Sequence, residues 1–264
     1  MELEIHGKRA LVTGSTGGIG LASVRQLAQE GASVVVNGRS RDRVEAAVSA
    51  IRESVKGSDV RGVAADLGTA AGCDLMIREV PDLDILVNNV GIFEPKPFEE
   101  IPDEDWTRFF EVNVLSGVRL CRHYLRGMRA RDWGRVVFVS SESAVQIPAE
   151  MIHYGTTKTA QLAVARGLAE TTVGTGVTVN SVLPGPTASE GVSTFVGQMA
   201  EARGVDFGTM EKEFFATARP SSLLQRFATT DEAASMITYV CSARASATNG
   251  AALRVDGGVV RSVL

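Results

Sequence analysis

The sequence predicts an α/β fold, a doubly wound and mostly parallel sheet of seven strands with helices on both faces. Three observations predict it. Short apolar runs alternate with amphipathic stretches from Lys8 to Val255, the rhythm of repeated strand–helix units. A glycine-rich turn joins the first run to the first amphipathic stretch, and a second apolar run completes a β-α-β unit. Residues able to carry chemistry stand just after the apolar runs, so a parallel sheet gathers them along the carboxyl edge of its strands.

Taken in order, Lys8-Arg-Ala-Leu-Val-Thr13 reads as a strand, Gly14-Ser-Thr-Gly-Gly-Ile-Gly20 as a turn, and residues 21–30 as a helix. Ser33-Val-Val-Val-Asn37 is the second strand, residues 41–54 a helix, and residues 60–65 an edge-like strand. A short helix around residues 74–79 precedes the strongly apolar strand Asp84-Ile-Leu-Val-Asn88. Residues 102–131 form one long helix, because Trp106, Phe110, Val114, Val118, Cys121, Leu125 and Met128 recur at helical spacing. Val136-Val-Phe-Val139 is the next strand, and a helix carrying Tyr154 and Lys158 runs to about Thr172. Residues 177–183 and 251–255 supply the last two strands. Between 188 and 224 the alternation fails, and Phe195, Met199, Phe207, Met210, Phe214 and Phe215 stand among glycines and acids.

Two clusters point to chemistry. Tyr154 and Lys158 are four residues apart, so a phenol and an ammonium share one helix face, with Ser141 at the end of the preceding strand able to meet them. A phenol serves as an acid-base group at neutral pH when a nearby cation stabilises its phenolate. The spacing alone also suits an exposed pair with its lysine in solvent. The glycine turn lets backbone approach a pyrophosphate, whose charge meets free N–H groups at a helix start, although a tight structural turn would read the same.

Composition narrows the classes. The chain has 264 residues, 44% hydrophobic and 22% charged, enough for one large domain over residues 1–264 with a sizeable core. A net charge of −4 and the lack of a basic run with interleaved aromatics argue against nucleic acid as a partner. Three widely spaced cysteines imply neither a disulfide framework nor zinc, and His6, His123 and His153 have no metal-ligand spacing, so no metal is expected. The opening Met1-Glu-Leu-Glu-Ile-His6 reads as no signal peptide, and no apolar run reaches membrane-spanning length, so a reduced cytoplasmic location is expected.

Thr13-Gly-Ser-Thr-Gly-Gly-Ile-Gly20, Asn88-Asn-Val-Gly91, Asn113, Ser141, Tyr154-Gly-Thr-Thr-Lys158, Pro184-Gly185 and Val255-Asp-Gly-Gly258 resemble, in order and spacing, the short-chain dehydrogenase/reductase family. The resemblance covers nearly the whole chain. It implies a Rossmann-type, NAD(P)-dependent oxidoreductase in which a tyrosine exchanges a proton with a substrate oxygen beside the nicotinamide. By it, Tyr154 is the general acid or base, Lys158 lowers its pKa and holds the nicotinamide ribose, and Ser141 holds the substrate carbonyl. Asn113 relays protons through a water to Lys158, or is an ordinary buried asparagine joining two helices. Ser140 and Ser143 compete with Ser141, whose spacing to Tyr154 fits better.

Gly14, Ser15, Thr16, Gly18, Ile19 and Gly20 of the loop then bind cofactor, with Asn89, Gly91, Pro184 and Gly185, and Asp66 with Leu67 contacts the adenine. Thr187 or Ser189 stands near the carboxamide, with Pro186 blurring the alignment. After the second strand the chain reads Asn37-Gly-Arg-Ser-Arg41, with no carboxylate until Asp42. Arg39 can form paired hydrogen bonds to a 2′-phosphate and Ser40 can add a hydroxyl, which favours NADP(H) over NAD(H). Arg39 stacked on adenine or free in solvent is the plain alternative, and Thr16 stands where many NADP-using relatives carry a basic residue. Val90 replaces the usual alanine, a change expected to be tolerated. The segment 188–224 resembles a substrate lid, and its apolar residues suit a partly hydrophobic carbonyl or alcohol substrate, or serve only to dock two short helices. A homotetramer is implied. The rival reading is a nucleotide-binding sensor or scaffold that lost its chemistry.

Overall fold

The computed structural model describes residues 2–263; the side chain of Phe195, one of the apolar residues expected in the lid, lies outside the described residues. Seven strands, β1 (Arg9–Val12), β2 (Ser33–Gly38), β3 (Val60–Ala64), β4 (Ile85–Asn88), β5 (Gly134–Val139), β6 (Val177–Pro184) and β7 (Ala252–Val255), form one sheet ordered β3-β2-β1-β4-β5-β6-β7. Every neighbouring pair is parallel. Strand order reverses beside β1, and the gap there opens a crevice at the carboxyl ends of β1 and β4.

Side-chain alternation along each strand divides the core. Ala10 and Val12 face one side with Val34, Val36 and Val137, while Leu11 faces the other with Val35, Leu86 and Phe138. The first layer is closed by α1 (Gly18–Gln29), α2 (Arg41–Ser54) and α9 (Thr230–Val240). The second is closed by α3 (Ala70–Glu79), α5 (Ser116–Ala130) and α6 (Ile152–Glu170). These buried, valine-rich strands are the near-continuous apolar runs of the sequence.

Three differences from the sequence reading have physical causes. The expected helix over 102–131 is broken into α4 (Asp103–Phe110), a π-helical turn at Glu111–Leu115, and α5. There the Ser116 N–H reaches the Glu111 carbonyl, five residues back, and the Asn113 carbonyl accepts instead from the Gln161 side chain. Second, α9 was not expected, although Thr229 and Glu232 form a reciprocal capping box at its start. It packs on α1, where Arg25 pairs with Asp231. Third, the two short helices that the sequence reading allowed after β6 are regular helices of 14 and 11 residues, α7 (Glu190–Arg203) and α8 (Phe207–Thr217). Gly204 ends α7 in the left-handed region at φ 65°, and Val196, Ala200, Met210, Phe215 and Phe227 give the hairpin its own small core. Among the described residues no helix is long and apolar enough to cross a membrane.

Candidate active site

The glycine loop is shaped by hydrogen bonds from both neighbouring strands. Asn89 Nδ2 donates to the Thr13 and Gly14 carbonyls, each at 2.9 Å, and Asn37 Oδ1 accepts from Gly14 N–H at 3.1 Å. Ser15 Oγ donates to the Val12 carbonyl at 2.7 Å and accepts from Asn37 N–H at 3.0 Å. Asn37 also donates from Nδ2 to Val63 and Ala65, so one buried amide ties the loop to the end of β3. Gly14 and Gly18 sit at φ 59° and 57°, which favours glycine. A Cβ on Gly20 would lie 2.6 Å from Asn89 Nδ2 and 2.7 Å from the Gly14 carbonyl oxygen. The start of α1 is therefore bare backbone facing the crevice, and this cradle fits the diphosphate of a dinucleotide.

At the end of β2, Arg39 is exposed and enters no ion pair among the described residues. The Ser40 hydroxyl caps α2, accepting from Arg43 N–H at 3.4 Å, which already gives it a structural task. Thr16 lies over Gly38, where a Cβ would meet its Cγ2 at 2.5 Å. Asp66 is exposed and accepts from Gly68 N–H at 3.1 Å. Leu67 is 2% exposed with its side chain in the core, so only its backbone can meet a ring.

Across the crevice, β5 delivers Ser141 and α6 delivers Tyr154, Lys158 and Gln161. Ser141, Tyr154 and Lys158 meet at a cavity of about 470 Å³ that Ile19, Asn89, Gly91, Pro184, Gly185 and Thr187 also line, with Gln161 buried behind it. All three candidate serines line the cavity, and the Ser140 hydroxyl is occupied, donating to the Lys158 carbonyl at 2.9 Å. Ser141 turns its hydroxyl to the cavity and accepts from Ser143 N–H at 3.1 Å. Thr187 Oγ donates to the Gly185 carbonyl at 2.9 Å, while Ser189 caps α7 by accepting from Val192 N–H. Of that pair, Ser189 is committed to a helix end.

Lys158 is 4% exposed; its Nζ donates to the Val139 carbonyl at 3.0 Å and to Gln161 Oε1 at 3.3 Å, and lies 5.6 Å from the Tyr154 ring centre. Burial pushes its pKa down to about 8. Burial pushes the Tyr154 phenol up, with the Ser141 hydrogen bond opposing, so the phenol is protonated through neutral pH. The Lys158 ammonium, expected from the sequence to act on this phenol, makes its hydrogen bonds to the Val139 carbonyl and Gln161.

Asn113 is fully buried behind the cavity. Its Oδ1 accepts from Ile92 N–H at 2.8 Å, and its Nδ2 donates to the Ile92 carbonyl and Thr157 Oγ. Its backbone carbonyl accepts from Gln161 Nε2, so Gln161 links Asn113 to Lys158. His153 faces away from the crevice against Phe109, 4.1 Å between ring centres, with neither ring nitrogen hydrogen-bonded; burial pushes its pKa down.

Sequence reasoning missed a charged corner of the cavity. Glu142, 5% exposed, accepts from Ser141 Oγ at 2.5 Å and from Arg219 Nε at 3.1 Å. Arg219, just beyond α8, also donates from Nη1 to Glu150 at 3.3 Å. The only sequence signal was an acid beside Ser141, since Arg219 stands far along the chain.

Sheet, cradle and serine–tyrosine–lysine cluster together define a Rossmann-type oxidoreductase. A family model described as short chain dehydrogenase matches residues 8–199, and the chain belongs to that family. An uncharacterised oxidoreductase, YvaG, of Bacillus subtilis (strain 168) is 47% identical over 263 residues, with 100% of both chains covered. A D-beta-hydroxybutyrate dehydrogenase of Cupriavidus necator is 33% identical over 260 residues, covering 97% of this chain and 99% of its own. Among solved structures, L-sorbose reductase from Gluconobacter frateurii complexed with NADPH and L-sorbose matches with a TM-score of 0.94 at 32% identity, covering 100% of both chains.

Proposed function

We propose that the protein is an NADP(H)-dependent enzyme interconverting a carbonyl and a secondary alcohol, with Tyr154 as the proton-transferring group. The observation that carries this reading is the convergence of Ser141, Tyr154 and Lys158 on a cavity continuous with the glycine cradle. When bound, the nicotinamide supplies or accepts the hydride. The chain's own residues do the rest. Ser141 orients the substrate oxygen, and Tyr154, kept protonated by burial, is poised to donate its proton as charge develops on that oxygen. Lys158 holds a positive charge beneath the phenol and can serve the nicotinamide ribose, while Gln161 and the Asn113 carbonyl fix its ammonium. Gly14, Ser15, Thr16, Gly18, Ile19 and Gly20 would hold the diphosphate, Arg39 a 2′-phosphate, Asp66 the adenine, and Thr187 the carboxamide.

The L-sorbose reductase matched above was crystallised with NADPH, which supports the cofactor assignment. Residues 1–264 act as one cofactor-binding unit on this reading, and α7 and α8 form the lid. Val192, Val196, Met199 and Phe214 carry the lid's apolar face into the cavity. A homotetramer and a cytoplasmic location complete the proposal. The test is NADPH oxidation over a panel of ketones, repeated with Tyr154→Phe. Turnover should fall by about 100-fold or more with NADPH binding retained. Undiminished turnover in that variant defeats the mechanism, and the absence of turnover with every carbonyl favours a nucleotide-binding scaffold.

A further inference from the structure

We infer that Glu142 and Arg219 select a neutral, polyhydroxylated ketone, and the corresponding polyol in the reverse direction, by reading the hydroxyls next to the reacting carbon. The inference rests on the carbonyl-reducing function proposed above and adds the substrate class. An ionised carboxylate offers about four acceptor positions. Among the described residues two partners occupy those of Glu142, Ser141 Oγ at 2.5 Å and Arg219 Nε at 3.1 Å, in a side chain 6% exposed that lines the cavity. Arg219 commits Nε to Glu142 and Nη1 to Glu150 and the Ala218 carbonyl, which leaves its Nη2 hydrogens without a partner among the described residues. The cavity wall beside the serine thus presents spare acceptors and spare donors within one buried ion pair.

Ser141 is the bridge between that pair and the reaction. Oxygens on adjacent carbons lie about as far apart as a hydrogen-bonded pair, on the order of 2.7 Å. When Ser141 turns its one hydroxyl hydrogen from Glu142 to a substrate carbonyl oxygen, the hydroxyl of the next carbon is brought to Glu142 and donates in its place. That hydroxyl can also accept from Arg219. An apolar ketone offers neither bond and leaves a buried carboxylate and guanidinium facing hydrocarbon, the arrangement by which polar sites reject analogues that lack a hydroxyl.

Charge separates hydroxylated ketones from hydroxylated acids. Glu142 faces the position of that neighbouring hydroxyl with a carboxylate of its own, so a substrate carboxylate placed there meets like charge and has no hydrogen to donate. The remaining wall, with Phe93, Val192, Met199 and Phe214, packs the carbon-bound hydrogens of the chain.

The experiment measures kcat/KM for NADPH-dependent reduction of three probes by the full chain: 2-ketohexoses of both hands, 2-hexanone, and 2-keto-D-gluconate. One ketohexose should exceed 2-hexanone by about 100-fold and the keto acid by about 10-fold. Glu142→Leu should lower ketohexose turnover by about 100-fold and 2-hexanone turnover at least about 10-fold less, and Arg219→Met should follow the same pattern more weakly. Equal losses on both substrates in Glu142→Leu overturn the inference, because Glu142 would then only orient Ser141. Preference of the unaltered protein for 2-hexanone or the keto acid overturns it with no variant needed. Either outcome leaves carbonyl reduction standing, whereas failure to turn over any probe removes that function and the inference with it.

Discussion

The two ends of the crevice are built from different parts. At the cradle, between β1 and α1, the surface offered is backbone: glycines without room for a Cβ, with carbonyls held by the Asn89 side chain and an amide held by that of Asn37. At the cavity floor and under α7 and α8, the contacts are between side chains, with Ser141, Glu142 and Arg219 hydrogen-bonded in series and Tyr154 and Lys158 lining the same cavity. Backbone can read what every dinucleotide shares. Side chains must read what differs between substrates, so the first end tolerates little change and the second can be rewritten.

The largest effect should come from making one substitution at each end. Gly20→Ala places a methyl group 2.6 to 2.9 Å from Asn89 Nδ2, the Gly14 carbonyl and Ser15 Cα, all parts of a cross-linked loop. NADPH affinity should fall by about 100-fold or more and the melting temperature should drop, as overpacking against backbone costs on the order of 1–3 kcal/mol. Gly197→Ala, inside α7 with nothing within 4 Å of the added atom, should instead stabilise by about 1 kcal/mol through helix propensity. Fluorescence titration and thermal unfolding of both variants check the contrast. Equal tolerance of the two changes would break it.

A smaller effect tests whether cofactor choice belongs to the backbone end at all. Arg39 is a side chain, exposed and unpaired, at the lip of the cradle. Arg39→Ala should weaken NADPH by about 10- to 100-fold, the worth of one or two charge-assisted hydrogen bonds, and leave NADH nearly unchanged. Equal losses for both cofactors would assign Arg39 to adenine stacking.

How much of each end was legible follows the same division. The cradle could be read because glycine spacing reports backbone geometry directly, and Tyr154 with Lys158 could be read because helical periodicity puts them on one face. The seven strands were legible because buried parallel strands are written as apolar runs. Gln161, Glu142 and Arg219 were not, because their roles arise from contacts between distant segments: Glu142 and Arg219 are 77 residues apart, and Gln161 and Asn113 are 48 apart. The π-helical turn at Glu111–Leu115 was hidden for that reason, since a side chain from α6 draws off one of its carbonyls. Leu67, expected at the adenine from its place after Asp66, sits in the turn beyond β3 with its side chain in the core, which leaves its backbone for such a contact. The helix α9 is different: Thr229 and Glu232 announce its start, and that signal was available.

The smallest effect concerns α6, which serves both ends and yet has a face turned from each. His153 precedes Tyr154 but packs between Phe109 and Trp106, with both ring nitrogens unsatisfied, so the folded protein holds it neutral. Its pKa is depressed from the ordinary value of 6.5, so the unfolded chain binds the proton more readily. Stability from this residue is therefore fully present above pH 6.5 and is lost as pH falls below it. His153→Leu should flatten the fall in melting temperature between pH 7 and pH 5, with a difference near zero at pH 7.5. Turnover at pH 7.5 should stay within about 3-fold of the unaltered protein, since nothing on this face touches the cavity and conservative apolar swaps are tolerated. A large drop in kcat would mean that the back of α6 sets the position of Tyr154, and that the chemistry depends on packing behind the helix as much as on the side chains before it.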